Sequence, residues 1–121
     1  LSVPKRFVAV IPRTAYFKDA KTCTTPNTEQ EIINDIVPAG IVRNLRQAIV
    51  VCRMEGSFYI YADAAIIGSG RTGAADSTIS FYFDPWRPIS QSTTIRVTFK
   101  QRPNTPPVPI EVYLQASDVD L

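Results

Sequence analysis

Between Ser57 and Gln115 apolar residues recur at alternate positions, with Gly, Pro, Asn or Asp at the joins, and this period of two marks strands with one buried face. Ser57 to Asp63 (SFYIYAD) puts Phe58 and Ile60 on one side and Tyr59 and Tyr61 on the other. Ser77 to Phe83 sets Ile79, Phe81 and Phe83 on one face, with Tyr82 opposed. In Thr93 to Lys100, Ile95, Val97 and Phe99 read as inward and Thr94, Arg96 and Thr98 as outward. In Val108 to Ala116, Ile110, Val112 and Leu114 alternate with Glu111, Tyr113 and Gln115. Leu45 to Arg53 is the most apolar run and reads as the central strand, with Ile49 inward; Ala65 to Ile67 adds a short one. The pattern predicts an all-β fold, an antiparallel β-sandwich of jelly-roll type. An immunoglobulin-like strand order fits the same segments.

The first third follows other rules. Lys5 to Ile11 and Arg13 to Phe17 look extended, and Pro4 and Pro12 confine them to sheet edges or strand ends, so residues 1–25 read as an arm or edge strands. Thr28 and Glu31 have capping-box spacing, and Ile32, Ile33 and Ile36 then fall on one side of a helical turn that Pro38 and Gly40 end. At most one short helix, near residues 28–36, is expected, an ordered loop being the alternative. Gly68, Ser69, Gly70 and Gly73 predict a mobile loop over Gly68 to Asp76 that carries Arg71. Asp84-Pro85-Trp86-Arg87-Pro88 reads as a stiff connection after the strand ending at Phe83, with Trp86 either capping the core or anchoring a partner.

A chain of 121 residues is the size of one domain, expected here over 1–121. With 45% hydrophobic and 20% charged residues it has the composition of a folded protein, and no run approaches the roughly 18 apolar residues of a membrane helix. The net charge of +2 is scattered, without the Lys/Arg stripe that phosphate backbones require, so neither nucleic acid nor membrane is an expected partner. The chain begins with Leu1, which points to a processed product or a fragment. Cys23 and Cys52 would pin the first segment to the central strand if bridged; small buried thiols are the favoured reading.

The chain has no histidine, which removes the commonest nucleophile systems and zinc sites. Asp63, Asp76 and Asp84 lie near strand ends, where a glycosidase-like carboxylate pair is conceivable, but eleven acids on a small surface produce such coincidences. The glycine-rich run lacks the Gly-Lys-Ser/Thr of a phosphate loop, and the isolated acids make no calcium cage. No catalytic residue, metal or cofactor is expected. The candidates for partner binding are Trp86, Arg87, Arg71, Tyr59, Tyr61, Tyr82 and Tyr113, because rigid aromatics beside planar cations compose binding hot spots. Each tyrosine taken singly also fits an ordinary half-buried strand site.

Ile36 to Val51 (IVPAGIVRNLRQAIVV) resembles the Pro-Ala-Gly approach to a central strand in trimeric jelly-roll domains of phage structural proteins, receptor-binding tips and exosporium filaments. SFYIYADAAIIGSG is similar to the hairpin that follows in such domains. The two stretches cover about thirty residues and describe a turn feeding a strand; Cys52 and Arg53-Met54-Glu55 depart from the pattern. The resemblance implies a non-enzymatic virion component: a homotrimeric capsid cement or decoration protein, or a fibre head, that contacts a major capsid or other virion protein. A carbohydrate- or receptor-binding lectin-like module is the main alternative, and a secreted adhesion domain the third.

Overall fold

The computed structural model describes residues 13–73 and 78–121. The expected strand Lys5 to Ile11, together with Pro4, Pro12 and Asp76, lies outside them. Eight strands are present among the described residues: β1 (Arg13–Cys23), β2 (Glu29–Ile36), β3 (Ile41–Cys52), β4 (Gly56–Ala62), β5 (Ala65–Thr72), β6 (Thr78–Ile89), β7 (Thr94–Gln101) and β8 (Val108–Asp120). They form two four-stranded antiparallel sheets, ordered β1-β8-β3-β6 and β2-β7-β4-β5. The first strand thus pairs with the last, the second with the seventh, the third with the sixth and the fourth with the fifth. A long hairpin rolled up in this way is the eight-stranded jelly roll.

The inner faces follow the alternation in the sequence. Phe58, Ile60, Val97, Phe99, Val112 and Leu114 are all essentially inaccessible to solvent. Several expectations need correction. Ile49 is only half-buried and faces outward, opposite Tyr113 on β8 and Ser80 on β6, while its neighbours Ala48 and Val50 are buried. An unbroken apolar run gives no parity, and a bulge at Arg46 shifts the phase of β3. The segment expected to be helix or loop is strand β2. A bulge between Glu31 and Ile33 lets the consecutive Ile32 and Ile33 both enter the core, and that pair had mimicked a helical face.

Of the loop expected over Gly68 to Asp76, the part from Gly68 to Thr72 is strand, and residues 74–76 lie outside the described residues. Gly68 and Gly70 lie within β5, paired to Ile60 and Phe58 of β4. A Cβ at Gly70 would stand 2.4 Å from the Phe58 ring, and one at Gly68 would stand 2.8 Å from Phe81. These glycines let core aromatics lie flat against the strand backbone.

Cys23 and Cys52 are free and buried. They sit on either side of β8, opposite Val108 and Ile110. Burial raises the pKa of both thiols, and the Cys52 thiol donates to the carbonyl of Met54.

Candidate functional site

The seven candidate residues fall in three places. Tyr59, Tyr61 and Arg71 share the outer face of the sheet β2-β7-β4-β5. Ser57 pairs with Arg71 on one side and Lys100 on the other, and Tyr59 pairs with Ser69 and Thr98. The face is therefore layered across the strands, an Arg71-Ser57-Lys100 row followed by a Ser69-Tyr59-Thr98 row. Tyr61 comes next, with Arg96 over its ring at 4.7 Å. Its hydroxyl donates to Glu29 Oε1 at 2.5 Å, and Thr98 Oγ1 donates to the same oxygen at 2.7 Å. These two bonds lower the Glu29 pKa, and the same bond to Glu29 raises that of Tyr61. Tyr59 packs beside Tyr61 at a ring separation of 6.5 Å.

At the end of this face where the β1–β2, β3–β4 and β7–β8 connections meet, a cleft of about 680 Å³ opens. Its walls include Ser57, Tyr59, Arg71, Lys100, Gln101 and Arg102. Gln101, almost fully buried, organises the floor. Its amide donates to Pro106 O at 2.9 Å, its Oε1 accepts from Gln30, and its carbonyl accepts from the Asn27 N–H. Arg102 is paired with Glu55.

Trp86, Arg87 and Tyr82 lie on β6, the outer edge of the other sheet. The expected connection after Phe83 is instead a continuation of this strand. Between the pairs Gln47–Tyr82 and Leu45–Arg87, four residues of β6 arch past the single residue Arg46 of β3. The Asp84–Pro85 peptide in this arch is cis. Arg46, left without a ladder partner, stacks over Trp86 at 4.4 Å. Trp86 is 50% exposed and Tyr82 66%, so Trp86 does not cap the core. Pro85 in the arch and Pro88 beyond it lack N–H donors and are tolerated because β6 is an edge.

Tyr113 stands apart, on the outer face of β8. Its hydroxyl donates to Glu111 at 2.6 Å, which raises its pKa, and Lys18 lies 5.2 Å over its ring.

Of the carboxylates considered as an acid and base pair, Asp63 and Asp84 are separated, and Asp76 lies outside the described residues. Asp63 turns the β4–β5 hairpin at φ 51°, and its Oδ1 accepts the Thr94 N–H at 2.9 Å. Asp84 is in the β6 arch of the opposite sheet. Among the described residues no three Cys, Asp or Glu side chains converge on a metal position.

Lys100, Arg96, Glu29 and Arg46 were not singled out from sequence. Lys100 continues the outward series Thr94, Arg96, Thr98 and was legible in that alternation; Arg46 was not, because only the bulge brings it to Trp86.

No protein-family model matches the sequence, and neither does any curated protein. Among solved structures the chain is similar to a chain of the cyanophage Pam1 capsid asymmetric unit, with a TM-score of 0.54 at 12% identity. The alignment covers 97% of this chain and 91% of that one. A chain of the virus-like particle of the giant freshwater prawn Macrobrachium rosenbergii extra small virus aligns over 99% and 87% of the two lengths, at 10% identity and a TM-score of 0.47. The likeness to the cyanophage chain is one of fold: this chain resembles viral capsid jelly-roll domains.

Proposed function

We propose that this protein is a structural component of a virion, acting through protein–protein contacts and not by turnover. Within that role we read it as a capsid cement or decoration protein, or a fibre head, assembled as a homotrimer of single-domain chains. The observation that carries the reading is the jelly-roll strand order of this chain together with its likeness of fold, over nearly the full length of both chains, to a chain of a phage capsid asymmetric unit. The exposed aromatics add a surface to it. Tyr82 and Trp86 stand on an open sheet edge, while Ile36 and Ile66, both more than half exposed, flank the turns at the end toward which β6 runs. Exposed apolar side chains on an edge strand are a template for a neighbouring chain.

Light scattering of the purified protein at tens of micromolar tests the trimer. A mass three times that of the chain is expected, falling toward the monomer for Tyr82→Ser combined with Trp86→Ala. A monomer for the unmodified protein removes the trimer from the proposal. A second reading, a lectin-like module, is favoured by one observation: the cleft beside Tyr59 on the opposite face.

A further inference from the structure

We infer that the cleft bounded by Arg71, Lys100 and Tyr59 binds an acidic sugar, the anionic group lying over Ser57. The register places Arg71, Ser57 and Lys100 side by side on strands β5, β4 and β7, so the two cations stand two strand spacings apart, roughly 9.5 Å, on one face. The short side chain between them leaves a floor on which a carboxylate or sulfate accepts charge-assisted hydrogen bonds from both sides. Among the described residues neither Arg71 nor Lys100 forms an ion pair. The single carboxylate in the lining, Glu55, is engaged by Arg102. Three cations against one acid favour an anion over a neutral ligand.

Tyr59 supplies the second element. It follows Ser57 on the same face of β4, with its ring beside the position of the anion, and an aromatic surface there packs against the C–H face of a pyranose. Asn27 and Ser57 add amide and hydroxyl groups, and about 680 Å³ accommodates one or two sugar rings. A nucleic-acid backbone fits less well. The cations do not continue as a stripe: Glu29 flanks Lys100, and the next row carries Tyr59, Thr98 and Glu31.

The test uses a glucuronate-terminated disaccharide, its neutral glucose counterpart and sodium sulfate, followed by amide chemical shifts and titration calorimetry. The uronate is expected to shift amides at 55–59, 71–73 and 100–102 and to bind at least about tenfold more tightly than the neutral sugar. Arg71→Gln and Lys100→Gln should each weaken it about tenfold, Arg71→Lys less, and Arg87→Gln on the other sheet not at all. Tyr59→Ala should weaken the uronate while leaving sulfate unchanged. No binding at about 10 mM uronate overturns the inference. Equal affinity for sulfate, untouched by Tyr59→Ala, overturns it too, since the cleft then reads charge alone. Oligomer mass and particle association of Lys100→Gln, a residue outside the partner-binding candidates, stay at the unmodified values, so this inference and the virion reading fail separately.

Discussion

Arg43 and Asp118, 75 residues apart in sequence, face each other on adjacent strands and are joined by two parallel hydrogen bonds, Nε to Oδ1 at 2.8 Å and Nη2 to Oδ2 at 2.9 Å. Both residues are buried. The remaining Arg43 nitrogen, Nη1, crosses to Asp35 Oδ2 on β2 at 2.6 Å, and the guanidinium lies 4.4 Å over the Phe17 ring. One side chain thus ties β1, β8 and β3 of one sheet to β2 of the other. The bond to Asp118 is the main cause of the raised Arg43 pKa.

Removing the arginine leaves two carboxylates without their counter-ion, one of them buried. Arg43→Ala is expected to cost about 3–5 kcal/mol in urea unfolding. Arg43→Met combined with Asp118→Asn and Asp35→Asn should recover much of that loss, because it removes the uncompensated charge as well. A single arginine variant as stable as the unmodified protein would show that the cluster is not closed in solution.

Register is checked by a pair of substitutions. Val97→Asp places an unpaired charge in the centre of the core and should prevent folding. Ile49→Ser, on the outer face between Tyr113 and Ser80, should cost no more than about 1 kcal/mol. The opposite ranking by thermal melting would contradict the phase of β3 given by its bulge.

Gly70→Ala drives a methyl into the Phe58 ring, which is buried and has nowhere to retreat. A loss of about 1–3 kcal/mol is expected. Gly40→Ala meets no atom within 4 Å, but its φ of +83° makes it costly for a conformational reason, near 1 kcal/mol. A neutral Gly70→Ala would mean that β5 is a loose loop after all.

The carboxyl of Glu29 titrates below its ordinary value because Tyr61 and Thr98 donate to it. A group with a depressed folded pKa contributes stability above its unfolded pKa and loses that contribution as pH falls through the folded one. Tyr61→Phe should therefore lower stability slightly at neutral pH, by less than about 1 kcal/mol for so exposed a pair. It should also flatten the acid limb of the stability curve below about pH 4.5. Parallel pH profiles for the two proteins would show that the bond contributes nothing.

The sequence made the inner faces of β4, β7 and β8 legible because each alternates cleanly between one dry and one wet side. It concealed β2 and the phase of β3, since a bulge puts neighbouring residues on one face and breaks the period on which such reading depends. Gly68 and Gly70 misled for a different reason: their meaning lies in the rings of Phe81 and Phe58 that cover them, which are contacts across strands. The same holds for the site. Tyr59 and Tyr61 could be assigned to an outer face, but their company with Lys100 and Arg71 follows from the order β7-β4-β5, which no local pattern encodes. Trp86 could be read from sequence either as a core cap or as an anchor, and only the arch in β6, with Arg46 over the ring, places it at the surface.

Quantitative mass spectrometry of virus particles purified from an infected culture that encodes this sequence tests the central claim most directly. The account predicts the protein in intact particles, banding with them through a density gradient at a fixed ratio to the major shell protein. Its absence from washed particles, or a ratio that falls with each wash while the shell protein is retained, would contradict a structural role in the virion.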